Sequence, residues 1–289
     1  MLTTIPIINN KGGVGKTTTT INVASGLVRK GKRVLVVDLD SQGSASLAMG
    51  VHRKRLNPSS ADVLFGEEAI EDAIRKTDTK NLDLLTGSLR LADTDTRLAR
   101  EEGRDKRLSK ALSVVKDAYD VILIDCAPST SLLSINALVA ADAFIIPVAP
   151  SYLSLEGVIS LGEVVKNVRL SLGEAAPVLG VVLTMVSRDD EQTHAIIQEV
   201  RDHYGGKVFD TEIRDDPAIE DAPTRGMSVF DTAPDSQGAS DYGALVNEIL
   251  ERIDRYGSVY GTVREASDDR DAHTEEESPV DSTTRRTAS

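Results

Sequence analysis

Six apolar runs punctuate the chain: Leu2 to Ile8, Arg33 to Asp38, Leu82 to Thr86, Val121 to Asp125, Ala143 to Val148 and Val178 to Thr184. Each is short, rich in Val, Ile and Leu, and continuous rather than alternating, which is the pattern of a strand buried on both faces. Between them the apolar spacing changes to three and four. Thr17 to Lys30 puts Ile21, Ala24, Ser25 and Val28 on one side, and Gly31 closes it as a helix. Pro150 to Leu172 and Glu191 to Tyr204 read as further helices. Tyr242 to Tyr256 reads as a last one, with Leu245, Ile249, Leu250 and Ile253 inward and Arg252 and Arg255 outward. Strands alternating with helices predict an α/β fold: a single doubly wound, mostly parallel sheet with helices on both faces.

Two stretches fit this rhythm less well. Gly50 to Asn81 carries only short helical pieces, Ser60 to Phe65 and Glu68 to Lys76. Arg90 to Val115 spaces Leu91, Leu98, Leu108, Leu112 and Val115 among many charges, which predicts two solvated amphipathic helices broken near Gly103.

Composition sharpens the picture. Trp is absent and aromatic residues make up 3%, so the core must rest on Val, Ile, Leu and Ala. One large domain is expected over 1–257. Beyond it apolar residues nearly vanish, and Glu275-Glu276-Glu277-Ser278-Pro279 marks 258–289 as an acidic, disordered tail. Lys and Arg number 33 against 46 Asp and Glu, a net charge of −13, so any contact with nucleic acid must be a local patch. The single cysteine, Cys126, has no partner for an intramolecular disulfide and reads as a small buried residue. No basic-then-apolar leader opens the chain, and the apolar region Leu132 to Val148 is interrupted by Ser134, Asn136, Asp142 and Pro147. The cytosol is the expected compartment, with no membrane partner.

The chemistry concentrates in Asn10-Lys11-Gly12-Gly13-Val14-Gly15-Lys16-Thr17-Thr18, placed between the first strand and the first helix. Glycines at 12, 13 and 15 let successive backbone N–H groups turn around an anion at the positive end of a helix. Lys16 would reach the terminal phosphates of a nucleotide, and Thr17 would offer its hydroxyl to Mg2+. A bare glycine turn and a dinucleotide-binding loop are the alternatives. The second wants G-x-G-x-x-G without a Lys-Thr pair, and with an acidic residue about 20 residues further on. Two other strand ends carry acids: Asp38-Leu39-Asp40-Ser41-Gln42-Gly43, and Asp125 closing Val121-Ile122-Leu123-Ile124, the form of a Walker B strand. Asp38 and Asp40 can equally be ordinary turn residues after a strand.

The usual phosphate loop has glycine at position 10; this chain has Asn10 and adds Lys11. In this it resembles the deviant Walker A ATPases, specifically the ParA/Soj chromosome and plasmid partition family within the MinD/ParA superfamily. The resemblance covers about Met1 to Arg255. It implies ATP and Mg2+ bound by Lys11, Gly12, Gly13, Val14, Gly15, Lys16, Thr17 and Thr18, with Thr184 and Met185 near the adenine. Metal would be held by Thr17, Asp40 and Asp125, with Asp38 supporting the metal shell. Catalysis would fall to Lys11, Lys16 and Asp40, with Lys11 crossing to the nucleotide of a partner protomer and Asp40 aligning water. Pro147-Val148-Ala149-Pro150-Ser151-Tyr152-Leu153-Ser154-Leu155-Glu156-Gly157 resembles a dimer-face segment of the family.

The same resemblance implies a homodimer in the ATP state that binds DNA nonspecifically at the nucleoid and works with a ParB-like partner. Candidate DNA contacts are Arg188, Arg201, Lys207, Arg225, Arg252 and Arg255. Asp221-Ala222-Pro223 keeps the family frame, whereas Arg214, Asp215 and Ala218 depart from it. Two alternatives use the same scaffold: an ATPase that positions a protein cargo through an adaptor, and a carboxylate-activating synthetase. The iron protein of nitrogenase shares the loop but needs more cysteines than Cys126.

Overall fold

A computed structural model describes residues 4–129, 131–150, 162–163, 165–166, 168–170, 176–187 and 191–272, with 191–192 and 257–272 as backbone. Its strands are β1 (Thr4–Ile7), β2 (Val34–Leu39), β3 (Arg75–Lys76), β4 (Leu82–Leu85), β5 (Val121–Cys126), β6 (Phe144–Val148), β7 (Val178–Val186) and β8 (Val208–Arg214). Among the described residues they form one eight-stranded sheet in the order β3-β4-β2-β5-β1-β6-β7-β8. Every neighbouring pair is parallel except β3 with β4. The chain moves outward from β1 to β2 and β4, returns to place β5 between β2 and β1, then builds β6 to β8 on the other side. The carboxyl end of β1 therefore lies at the switch point of the sheet, where open α/β proteins hold ligands.

Helices cover both faces. They are α1 (Lys16–Arg29), α2 (Ser44–Ala48), α3 (Ser60–Phe65), α4 (Ile70–Ala73), α5 (Thr94–Arg97), α6 (Arg107–Val115), α7 (Leu132–Ala140), α8 (Glu191–Tyr204), α9 (Pro217–Asp221), α10 (Val229–Thr232) and α11 (Gln237–Ala272). The period of two along each strand sorts the core into two layers. Leu35, Val37, Ile122 and Ile124 pack with Leu64 of α3, Leu108 and Leu112 of α6 and Leu138 of α7. Val34, Val36, Val121 and Leu123 pack with Val23 and Leu27 of α1 and with Tyr242, Leu245 and Ile249 of α11. Each fully buried side chain of this kind contributes roughly 1.5–3 kcal/mol. Because the central strands are buried on both sides, they read as continuous apolar runs.

Several elements differ from expectation. β8 carries polar residues between its buried Val208, Phe209 and Ile213, because an edge strand with Asp210 exposed needs no continuous apolar run. The helix expected to reach Lys76 stops at Ala73; Ile74 turns extended, and the Arg75 guanidinium is held by the carbonyls of Arg55, Leu56 and Pro58 as β3 pairs with β4. Of the two helices expected over Arg90 to Val115, only α6 is regular. The first is a short 3-10 turn, Leu89–Asp93, followed by the single turn α5, and Gly103 at φ 65° marks the break. Leu132–Ala140, apolar but for Ser134 and Asn136, is a largely buried helix. Of the expected helix to Leu172, residues 162–163, 165–166 and 168–170 are helical, and the remainder after Pro150, including the dimer-face resemblance from Ser151 on, lies outside the described residues. The last helix, α11, begins at Gln237 and runs past the expected boundary at 257 to Ala272, through a stretch free of proline; 273–289 lie outside the described residues.

Candidate nucleotide site

The loop after β1 is held from three sides. Asn9, fully buried, donates from Nδ2 to Pro147 O in β6 at 2.8 Å, and its Oδ1 accepts the Lys11 N–H at 3.0 Å. Thr184 on β7 donates from Oγ1 to Val14 O at 3.0 Å. Gly13 and Gly15 sit at φ 73° and 79°, in left-handed backbone that a side chain would strain. Gly15 caps α1 with no side-chain acceptor, and no acid lies in the first turn, so the helix presents bare N–H groups and its positive dipole end to the loop. Gly12 and Gly13 are exposed, Lys11, Thr17 and Thr18 half-buried, and Val14 and Lys16 buried. Lys16 donates from Nζ to Lys11 O at 2.6 Å, so its ammonium lies across the concave side of the loop. Burial lowers its pKa, against the opposing pull of Asp125, Cys126 and Asp40.

The acids meet the loop from neighbouring strands. Thr17 Oγ1 donates to Asp125 Oδ2 at 2.8 Å, and Thr20 Oγ1 reaches Asp125 Oδ1 at 3.3 Å. Asp125 is register partner to Asp38 across β5 and β2, and both are fully buried. Burial, then the charge of Asp38, holds the Asp125 carboxyl above the usual range, and burial does the same to Asp38. Buried Cys126 likewise has its thiol pushed up, by burial first and then by Asp125. Asp40 is half-buried at the mouth: its Oδ1 accepts from Gln42 N at 2.9 Å and its Oδ2 from Ser44 Oγ at 3.3 Å. Both oxygens of Asp38 are taken by protein donors: Oδ1 by Asp40 N at 3.0 Å, Oδ2 by Ser46 N at 2.8 Å and Ser46 Oγ at 2.6 Å. Asp38 thus holds the turn that carries Asp40.

A donor set of Thr17 and Asp125 fits magnesium. That ion uses one or two carboxylates and fills its other positions with waters and phosphate oxygens. Asp125 and Asp40 face one buried lysine here, with Asp38 behind them, so a divalent cation would add positive charge to a cluster of acids.

Some site residues carry no motif signal. Ser46, Ser60, Gly87 and Thr184 all buttress the loop or the Asp38–Asp40 turn. Ser60 Oγ donates to Asp38 O at 2.7 Å, and a Cβ on Gly87 would lie 2.6 Å from both Asp38 Oδ1 and Asp40 O. Met185 follows Thr184 at the exposed end of β7, with φ 53°. A left-handed non-glycine residue beside a binding loop is a form of local strain often found at functional sites.

The cations suggested for DNA are differently placed. Arg188 lies outside the described residues. Arg201 pairs with Glu212 at 2.9 Å and Arg225 with Asp221 at 2.8 Å, while Lys207 and Arg255 are exposed. Arg252, expected to point outward, is turned into the structure. It donates to the carbonyls of Leu179, Lys207 and Val208 and to Glu248, with its guanidinium carbon 4.0 Å from the centre of the Phe209 ring.

A phosphate-binding loop at the switch point of a parallel sheet, backed by a buried lysine and a threonine–aspartate pair, defines a P-loop nucleotide-binding protein. A family model described as an AAA domain matches residues 2–176. The chain is 38% identical to the sporulation initiation inhibitor protein Soj of Bacillus subtilis over 245 residues, 85% of this chain and 97% of Soj. It is 36% identical to the chromosome partitioning protein ParA of Caulobacter vibrioides over 253 residues, 87% of this chain and 95% of ParA. It belongs to the ParA/Soj family of P-loop partition ATPases. Among solved structures, cobyrinic acid a,c-diamide synthase of Mycobacterium smegmatis with bound ADP and magnesium superposes with a TM-score of 0.76 at 28% identity, covering 90% of this chain and 96% of that one.

Proposed function

We propose that this protein is an ATP-dependent dimerising ATPase of ParA type: two copies close on two ATP molecules, the closed dimer holds DNA without sequence preference, and hydrolysis reopens it. With a ParB-like partner this cycle moves a chromosome or plasmid. One observation carries the reading: similarity to Soj and ParA runs over nearly their whole length, in a chain whose phosphate loop bears Lys11 as well as Lys16. Lys11 has its backbone tied to buried Asn9 at the loop mouth, the place from which a side chain can reach a facing protomer.

Hydrolysis of the terminal phosphoryl needs positioning and charge neutralisation more than covalent catalysis. Thr17 and Asp125 would hold magnesium, which would supply positive charge to neutralise the triphosphate. Lys16 and the N–H groups of the loop hold the triphosphate, while Asp40, at the mouth, aligns the water that attacks the terminal phosphorus. The products are ADP and phosphate. DNA contacts of this kind are mainly phosphate contacts and weaken steeply with salt.

The test is light scattering with a non-hydrolysable ATP analogue and magnesium. The wild type doubles its mass, and Lys11→Ala stays monomeric while still binding the analogue. A dimer unaffected by Lys11→Ala removes the role of that residue, and a wild type that stays monomeric overturns the reading. The synthase superposition supports a second reading, activation of a small carboxylate at the same loop. That reading expects ATP turnover that rises with a small carboxylate and ignores DNA; the partition reading expects the reverse.

A further inference from the structure

Resting on the role proposed for Asp40, we infer that Ser46 is a positioning residue for hydrolysis: through Asp38 it sets the turn that holds Asp40 over the nucleotide. Ser46 is fully buried on α2, and its hydroxyl lies between three segments. It donates to Asp38 Oδ2 at 2.6 Å and accepts the N–H of Gly87, after β4, at 2.9 Å. The Ser46 N–H adds a second donor to the same carboxylate oxygen at 2.8 Å. The other oxygen, Oδ1, accepts the Asp40 N–H at 3.0 Å. One rigid carboxylate thus joins Ser46 to the backbone of Asp40.

The surroundings leave this arrangement little freedom. Gly87 approaches so closely that its missing side chain is required, since a Cβ there would stand 2.6 Å from Asp38 Oδ1 and Asp40 O. Gly43, in left-handed backbone at φ 65°, packs against the Gly87 carbonyl from the other side, where a Cβ would come within 3.2 Å. Ser60 Oγ holds the Asp38 carbonyl at 2.7 Å. At the far end, the Asp40 carboxylate is fixed by Gln42 N and Ser44 Oγ. Removing the Ser46 hydroxyl leaves Asp38 with one donor fewer on Oδ2 and leaves the buried Gly87 N–H without its acceptor. The Asp38 carboxylate can then rotate, and the Asp40 turn moves with it. Nothing in this chain of bonds touches the phosphate loop, so nucleotide binding is not its business.

The experiment measures phosphate release and ATP-analogue affinity on the full chain for Ser46→Ala, Ser46→Thr, Asp40→Ala and the Asp40→Ala/Ser46→Ala pair. A misplacement of this kind lowers kcat about ten- to a hundredfold, and analogue affinity stays that of the wild type, a split expected of a group acting only in the chemical step. Ser46→Thr, which keeps the hydroxyl, retains the rate. In the Asp40→Ala background, Ser46→Ala costs nothing further, because its effect passes through Asp40. A wild-type kcat in Ser46→Ala beside a slow Asp40→Ala overturns this inference alone; an unaffected Asp40→Ala overturns the role of Asp40 on which it rests. An added loss in the double variant also overturns it. If Ser46→Ala fails to fold, Ser46→Thr and Ser46→Cys carry the test: a thiol is too weak a donor to replace the hydroxyl, so equal rates in the two refute the inference.

Discussion

Two regions of the sheet, one at its centre and one at its β8 edge, solve opposite electrostatic problems. At the carboxyl ends of β2 and β5, Asp38 and Asp125 are buried within a single register pair, with Asp40 nearby and one buried lysine to offset them. Around the edge strand β8, positive side chains are met by acids: Arg201 with Glu212, Arg214 with Asp241 and Arg252 with Glu248. The first region crowds carboxyl groups whose ionisation burial makes costly, a cost that a cationic ligand would relieve. The second has already spent most of its charge on itself. Chemistry belongs to the first region, and any DNA surface near the second has to draw on exposed cations such as Lys207.

The largest effect should come from the lysine that balances the acids. Lys16→Ala removes the buried charge facing Asp125 and Asp40 and, in the proposed cycle, a donor to the transferring phosphoryl group. Phosphate release should fall about 100- to 1000-fold, the cost of losing one preorganised electrostatic contact. Single-turnover hydrolysis checks this, and a loss under tenfold would break the contrast between the two regions. Gly87→Ala comes next. Its Cβ meets the Asp38 carboxylate and a backbone oxygen, neither of them the end of a flexible chain. Overpacking of this sort costs roughly 1–3 kcal/mol, to be read from denaturant unfolding, with hydrolysis slowed as Asp40 is displaced.

How far the sequence disclosed each region depends on the same contrast. The central strands and the phosphate loop were legible because burial on two faces forces continuous apolar runs, and phosphate binding forces glycine and lysine into fixed spacing. Ser46 and Gly87 were not, since a serine and a glycine acquire meaning only when α2 and β4 bring them to Asp38. β8 was hidden because an edge strand alternates: Asp210 faces water while Phe209 and Ile213 enter the core. Arg252 deceived for a related reason. It occupies the polar stripe of α11, but the helix crosses β8, where the strand carbonyls and Phe209 receive its guanidinium.

Arg252→Ala sharpens that point. It strips donors from the carbonyls of Leu179, Lys207 and Val208 and uncovers Phe209. Unfolding free energy should drop by about 1–2 kcal/mol, the cost of leaving partly buried polar groups unpaired, measured by urea denaturation at fixed protein concentration. A variant as stable as the wild type would return Arg252 to the surface cations.

The smallest effects on stability, within about 0.5 kcal/mol, should accompany the most informative changes in DNA affinity. Lys207 is exposed, whereas Arg225 is already paired with Asp221 through an i,i+4 contact at 2.8 Å. An exposed pair of this kind is weak, typically under about 1 kcal/mol, so a phosphate can compete for Arg225 but must displace its aspartate. Lys207→Ala should therefore lower the slope of log affinity against log salt by about one in the ATP-bound protein, and Arg225→Ala by less. Asp221→Asn should move the other way, freeing Arg225 and strengthening DNA binding without altering hydrolysis. These are read by fluorescence anisotropy of a short random duplex across a salt series. Wild-type slopes in all three variants would show that neither Lys207 nor Arg225 meets the duplex, and that the DNA-binding charge has to be sought on another face of the molecule.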